Sequence, residues 1–178
     1  LEDVTSGEIF IGDKDATEAA PKDRDITMVF KSDTLYPNMT VFENMAYGLR
    51  VRKAPQTLVE QRVKAAAAIL GLESLLYRKP KMLTAAQKQR VAIARSIVRE
   101  PKLYLFDEPL SGLDDKLKAE LLNIVINMQA RMQGTFIYST KNVAEAMTIG
   151  TRIVVLKNGI VQQIDTPANL YDYPVNAY

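Results

Sequence analysis

Two adjacent carboxylates, Asp107 and Glu108, stand directly after the apolar run Leu103-Tyr104-Leu105-Phe106. Such a run buries as a strand, and the carboxylates then emerge at its C-terminal end, where open α/β sheets bind ligands. One carboxylate of such a pair can hold a hard divalent cation while the other polarises a water molecule. The plainer reading is a strand followed by an exposed acidic turn. Leu110-Ser111-Gly112-Leu113-Asp114 follows at once, adding a hydroxyl and a further carboxylate. One helix upstream, Thr84-Ala85-Ala86-Gln87 opens an Ala-rich segment. A helix N-terminus there favours an anion through its dipole and its unbonded N–H groups, although Thr84–Gln87 also reads as nothing more than a well-capped helix. The 178 residues contain no His, no Cys and no Trp. Zinc fingers, thiol nucleophiles, Ser-His-Asp triads and iron–sulfur sites are thereby excluded. Any chemistry runs on carboxylates, lysines, hydroxyls and backbone dipoles.

The elements that must position these groups alternate along the chain. Glu8–Ile11 reads as a short strand and Ile26–Phe30 as a buried one. Thr40 and Glu43 form a capping box for a helix over Val41–Leu49. Leu58–Leu70 is a second helix ended by Gly71, and Glu73–Tyr77 a helical turn. Thr84 and Gln87 form another capping box for a helix reaching Arg99, with Val91, Ile93, Ala94, Ile97 and Val98 on its apolar face. Asp115–Met132 is a long helix stopped by Gly134. Thr135–Tyr138 reads as another buried strand, and Asn142–Ile149 as a short helix. Arg152–Leu156 and Ile160–Ile164 form a hairpin across Lys157-Asn158-Gly159, and Thr166 with Pro167 opens a last helix. Strands separated by helices imply an α/β fold with a parallel sheet covered on both faces. The purely helical stretch 41–80 reads as a subdomain inserted into a core formed by 1–40 and 81–178. The length suits one domain, and 47% hydrophobic with 25% charged residues matches an ordinary globular chain. A net charge of +2 is too small to imply nucleic acid by itself. The longest apolar stretch, Ala65–Leu70, is too short to span a bilayer, which takes about 20 residues, and with no signal peptide visible the cytosolic side is the expected compartment. The chain opens on Leu1 with a turn and strand under way and stops at Tyr178 without a polar tail, as a piece of a longer protein would.

The order of a helix-opening motif, an Ala-rich helix carrying Arg90 and Arg95, an Asp-Glu-Pro strand end and a Ser-Gly-Leu-Asp loop resembles the ATP-binding-cassette ATPases. The resemblance runs over the whole chain. Val29-Phe30-Lys31-Ser32 resembles the strand and start of the Q-loop. Leu35–Leu49, Glu145-Ala146-Met147, Arg152–Leu156 and Gln163–Tyr171 are similar to the ATPase subunits of sugar and glycerol-phosphate importers. The resemblance implies a P-loop NTPase-like parallel-sheet core, incomplete at the N-terminus, that binds ATP and Mg²⁺. It implies that Asp107 positions the metal through water, that Glu108 is the general base, and that Ser111 and Asp114 belong to the nucleotide site, Asp114 coupling two sites across a dimer. The implied partners are a second copy or a paralogous ATPase subunit, and a membrane permease docking on 41–80. The implied location is the cytoplasmic face of the cell membrane, with no nucleic acid bound. The lobe of a DNA-repair or chromosome-maintenance ATPase shares the signature and the Asp-Glu pair. Such lobes flank long coiled coils, and no sustained heptads occur here.

Four features depart from the family pattern. The phosphate loop G-x-x-x-x-G-K-[ST] does not occur in these residues; in the family it lies just upstream of residue 1. Lys31 stands at the Q-loop glutamine, beside the metal, and Lys141 at the switch histidine. Lysine donates to a phosphate but lacks an acceptor, which makes it a poor proton relay. The signature Leu-Ser-Gly-Gly-Gln is Leu83-Thr84-Ala85-Ala86-Gln87, keeping a hydroxyl but placing two methyl groups where glycines let the backbone approach a γ-phosphate. Two functions follow as expectations. One is the nucleotide-binding subunit of a carbohydrate-type importer, coupling ATP binding and hydrolysis to transport, whose present chain alone is inactive. The other is a catalytically silent module that docks on a permease or a dimer partner.

Overall fold

In the computed structural model, residues 4–31, 35–132 and 134–177 are described; Leu1, Ser32 and Tyr178, which the sequence reading used, lie outside them. The chain divides into two compact units, Leu1–Ser139 and Thr140–Tyr178. The first begins with the two-residue strands β1 (Phe10–Ile11) and β2 (Lys14–Asp15), paired antiparallel. It continues through β3 (Ile26–Val29), α1 (Val41–Val51), α2 (Gln56–Leu70), α3 (Ala85–Ile97), β4 (Leu103–Asp107), α4 (Asp115–Arg131) and β5 (Thr135–Ser139). The strands β3, β4 and β5 form a parallel sheet in that order, so β4 is its middle strand.

Local chemistry explains most element boundaries. The Thr40 hydroxyl accepts from the Glu43 N–H at 3.2 Å while Glu43 Oε2 accepts from the Thr40 N–H at 2.7 Å, closing the capping box of α1. Those bonds hold the Glu43 carboxyl below its ordinary pKa, the Thr40 backbone N–H contributing most. Gly71 ends α2 in the left-handed conformation, φ 63° and ψ 42°, which costs glycine nothing. The helices α1, α2 and α3 pack on one another, and α3 also packs on β3. The apolar face expected for α3 is buried throughout: Val91, Ile93, Ala94, Ile97 and Val98.

The sheet departs from expectation in its cover. Along β3 and β4, Thr27, Val29, Tyr104 and Phe106 are buried. On β5, the Phe136 ring stacks on Tyr104 at 4.5 Å and on Phe106 at 5.9 Å. The opposite face carries Met28, Leu105 and Ile137 in one register row. Met28 is 37% exposed and Ile137 55% exposed. Strands apolar on both faces were expected to be covered on both. Among the described residues one face is open, and β5 is half-exposed rather than buried. The end of α4 also differs. It stops at Met132 in an extended conformation, and Gly134 serves another purpose. A Cβ at Gly134 would lie 2.9 Å from Tyr104 Cε2 and 3.3 Å from the Pro101 carbonyl oxygen, so the chain crosses the Tyr104 ring only as glycine.

The second unit contains α5 (Val143–Ile149), the antiparallel hairpin of β6 (Ile153–Lys157) and β7 (Ile160–Asp165), and α6 (Pro167–Asp172). The hairpin turns through Asn158 and Gly159 at φ 51° and 76°, two left-handed residues that match the strand twist. Its strands carry a register shift between Val155 and Leu156. Thr166 caps α6 with Pro167 at its first position, as the sequence implies.

Candidate functional site

β4 delivers Asp107 as its last residue and Glu108 as the next, at the C-terminal edge of the middle strand. The neighbouring strand β5 ends in register, with Asp107 opposite Ser139. The Ser139 hydroxyl donates to Asp107 Oδ1 at 2.8 Å. The Glu108 N–H points back at the same residue, 3.1 Å from the Ser139 carbonyl oxygen and 3.1 Å from its Oγ. To make these bonds Glu108 adopts φ +43°, the left-handed region that is sterically costly for any residue with a Cβ. The Glu108 side chain carries its Oε2 to 3.2 Å from Lys31 Nζ. Lys31 arrives from the other side: Val29 pairs with Phe106, so two residues beyond β3 falls level with two residues beyond Phe106. Three parallel strands therefore place an ammonium, two carboxylates and a hydroxyl along one edge.

The following loop is tied to the same edge. The Ser111 N–H donates to the Glu108 carbonyl at 3.1 Å. Asp114 caps α4, its Oδ1 accepting from the Leu117 N–H at 3.0 Å. The Thr84 hydroxyl accepts from the Gln87 N–H at 3.2 Å and Gln87 Oε1 from the Thr84 N–H at 3.0 Å, so this second capping box is complete. Thr84 and Ala85 are exposed, whereas the Ala86 methyl is buried. The start of α3 thus presents one added methyl group outward, not two. Gln89 links this helix to the carboxylate loop: its buried side chain donates from Nε2 to the Pro109 carbonyl at 2.6 Å. Lys141 is exposed and belongs to the second unit, one residue before Asn142, whose Oδ1 caps α5 at the Glu145 N–H.

Ser139 and Gln89 were not singled out from sequence. Ser139 acquires its role only through the β4–β5 register, and Gln89 only through the packing of α3 beside the loop. An amide two positions after the capping-box glutamine, turned to the buried side, was the available signal for Gln89. Asn44 was missed for the same reason. It is buried in α1, accepts from the Tyr36 N–H at 2.8 Å, and donates to the Tyr36, Met39 and Thr40 carbonyls, fastening the 36–40 loop onto the helix. The Tyr36 ring then sits 4.7 Å from the Tyr47 ring and 4.9 Å from the Arg95 guanidinium. Beside it, Met39, Glu43, Tyr47, Arg50 and Val51 line a surface groove of about 320 Å³.

The donor chemistry suits Mg²⁺. Asp107 is exposed and supplies hard oxygen, and a magnesium ion needs only one or two carboxylates beside water and phosphate oxygens. No group of three potential His, Cys, Asp or Glu ligands occurs among the described residues.

Residues 1–111 match the ABC transporter family. The chain is 49% identical over all 178 residues to the oligosaccharides import ATP-binding protein MsmX of Bacillus subtilis, covering 49% of that protein. It is 48% identical over the same span to the sn-glycerol-3-phosphate import ATP-binding protein UgpC of Bordetella avium, again covering 49%. The chain therefore spans about half the length of the curated relatives it matches. Among solved structures, cbiO1 from Clostridium perfringens, part of the ABC transporter complex cbiONQ, superposes with a TM-score of 0.85. The match is at 28% identity and covers 94% of this chain and 68% of that one.

Proposed function

The chain belongs to the ABC transporter family, and we propose that it is part of the nucleotide-binding subunit of a carbohydrate-type importer. The observation that carries this reading is the carboxylate pair at the edge of the middle parallel strand, joined through Gln89 and Pro109 to the capped helix that opens at Thr84. Asp107, oriented by the Ser139 hydroxyl, would hold Mg²⁺, which supplies charge neutralisation for the phosphates. Glu108 is the candidate base for the attacking water, and Ser111 and Asp114 flank the same nucleotide. Thr84, Ala85 and Gln87, with the buried Ala86 behind them, form the helix start offered to the nucleotide of a second subunit, a copy of this chain or a paralogue. Lys31 is the phosphate- and metal-facing cation at this edge, and Lys141 stands at the family's catalytic switch position. Residues 41–80 form the helical subdomain, and its groove beside α1 is the permease-docking surface. The subunit works at the cytoplasmic face of the membrane, and no helix among the described residues is long and apolar enough to cross it.

A second reading has its own support. Glu108 is ion-paired to Lys31 at 3.2 Å, so the carboxylate that would take a proton from water already holds a cation. This favours a silent module that docks on a permease or dimer partner without turning over ATP. In either reading the 178-residue chain by itself should show no ATP hydrolysis above a Glu108→Gln control. The longer protein that contains it should bind ATP in a calorimetric titration. Turnover by the isolated chain, or no binding of millimolar ATP by the longer protein, would count against the proposal.

A further inference from the structure

We propose that the Lys31 ammonium is a resident counter-cation of the Asp107–Glu108 pair, so that it weakens divalent-metal binding at this edge and lets nucleotide bind with little dependence on Mg²⁺. The proposal rests on the nucleotide-site reading above and deepens it. Three observations lead to it. First, the strand register brings Lys31 level with Glu108, so their approach is set by the sheet. Second, the partner carboxylate is fixed. Glu108 holds a left-handed backbone, its N–H is bonded to both oxygens of Ser139, and its side chain is 22% exposed against 60% for Lys31. Third, the charge count changes. Two adjacent carboxylates alone present −2 to an incoming cation, whereas the pair with Lys31 at 3.2 Å presents −1.

A divalent ion approaching Asp107 enters the field of an ammonium paired to the very next residue, and is repelled twice as strongly as a monovalent ion. The same ammonium is a point-charge donor to phosphate oxygens, so it performs locally part of the neutralisation that a metal would otherwise provide. Nothing else about the edge needs to change: Asp107 keeps its Ser139 hydrogen bond.

The test uses the full-length protein containing this chain, as wild type, Lys31→Gln and Lys31→Arg. Mn²⁺ alone is the first probe, with the free-ion electron paramagnetic resonance signal reporting binding. Lys31→Gln should bind Mn²⁺ about tenfold more tightly than wild type, and Lys31→Arg, which keeps the charge, should match wild type. A fluorescent ATP analogue is the second probe. Wild type should bind it within about threefold equally in Mg²⁺ and in EDTA, whereas Lys31→Gln should lose about tenfold or more in EDTA. A Mn²⁺ gain below about threefold in Lys31→Gln, or an Arg variant that behaves like Gln, overturns the role of the charge. If no variant binds the analogue, the nucleotide-site reading falls, while the Mn²⁺ comparison still decides what Lys31 does.

Discussion

Glu108 combines an unfavourable backbone with three specific contacts: φ is +43°, the N–H is bonded to Ser139 twice, and the carboxylate meets Lys31. A left-handed residue with a Cβ is disfavoured by about 1–2 kcal/mol relative to glycine, which has no such penalty. Strain of this kind concentrates at functional positions because the surrounding structure over-determines it. The consequence is measurable by comparing two truncations that both delete the carboxylate. Glu108→Gly should be more stable to urea than Glu108→Ala by about 1 kcal/mol, the reverse of their order in an ordinary strand or helix. Equal stability, or Ala above Gly, would mean that no strain is held at this residue. The sequence marks Glu108 through its position after an apolar run, but the positive φ has no sequence signal, since Glu is not a residue chosen for it. Lys31, likewise, stands out only as a departure from a pattern; its contact with Glu108 needs the β3–β4 register.

At the scale of elements, what was legible depended on how far apart the cooperating residues lie. Thr40 with Glu43, and Thr84 with Gln87, are three positions apart, and both capping boxes formed as the spacing implies. Asn158-Gly159 fixed the hairpin for the same reason. Gly134 was misread as a helix stop because the contact that demands it is with Tyr104, which is 30 positions away in sequence and reaches it only through the fold. The same ring gives a test of the core. Tyr104 is fully buried, and its hydroxyl has no hydrogen-bond partner among the described residues. Burial, reinforced by the charge of Glu100, pushes its pKa from the ordinary value of 10.0 up to about 12. The unfolded chain therefore releases this proton first. The contribution of Tyr104 is fully present below about pH 10 and is lost as the pH rises toward about 12. Chemical denaturation across that window should show a falling stability in wild type and a shallower fall in Tyr104→Phe. Identical slopes would show that the buried hydroxyl does not titrate with folding.

The molecule as a whole joins a family-typical framework to an altered set of charged side chains. Asp107, Glu108, Ser111 and Asp114 are those the resemblance implies, and they stand on a fold shared with an ABC transporter component. Against this stand Lys31, Ala85, Ala86 and Lys141, and the structure makes them unequal: Lys31 touches the candidate base, whereas the Ala86 methyl is turned inward. The open apolar face of the sheet, with Met28 and Ile137 exposed, was not legible, because a strand apolar on both sides reads identically whether or not its cover is present. If this edge is an ATPase site whose base is Glu108, ATP hydrolysis should appear in a protein with a phosphate loop restored upstream of residue 1 and with Lys31→Gln, Ala85→Gly, Ala86→Gly and Lys141→His introduced together. Each restored group is worth roughly 10²–10³ in rate when it contacts the reacting phosphate, and such groups act as one constellation, so single reversions should recover little. The combined variant should hydrolyse ATP in a Mg²⁺-dependent way that Glu108→Gln abolishes. A combined variant that folds, dimerises and binds Mg·ATP yet stays inert, or one whose activity survives Glu108→Gln, would contradict it.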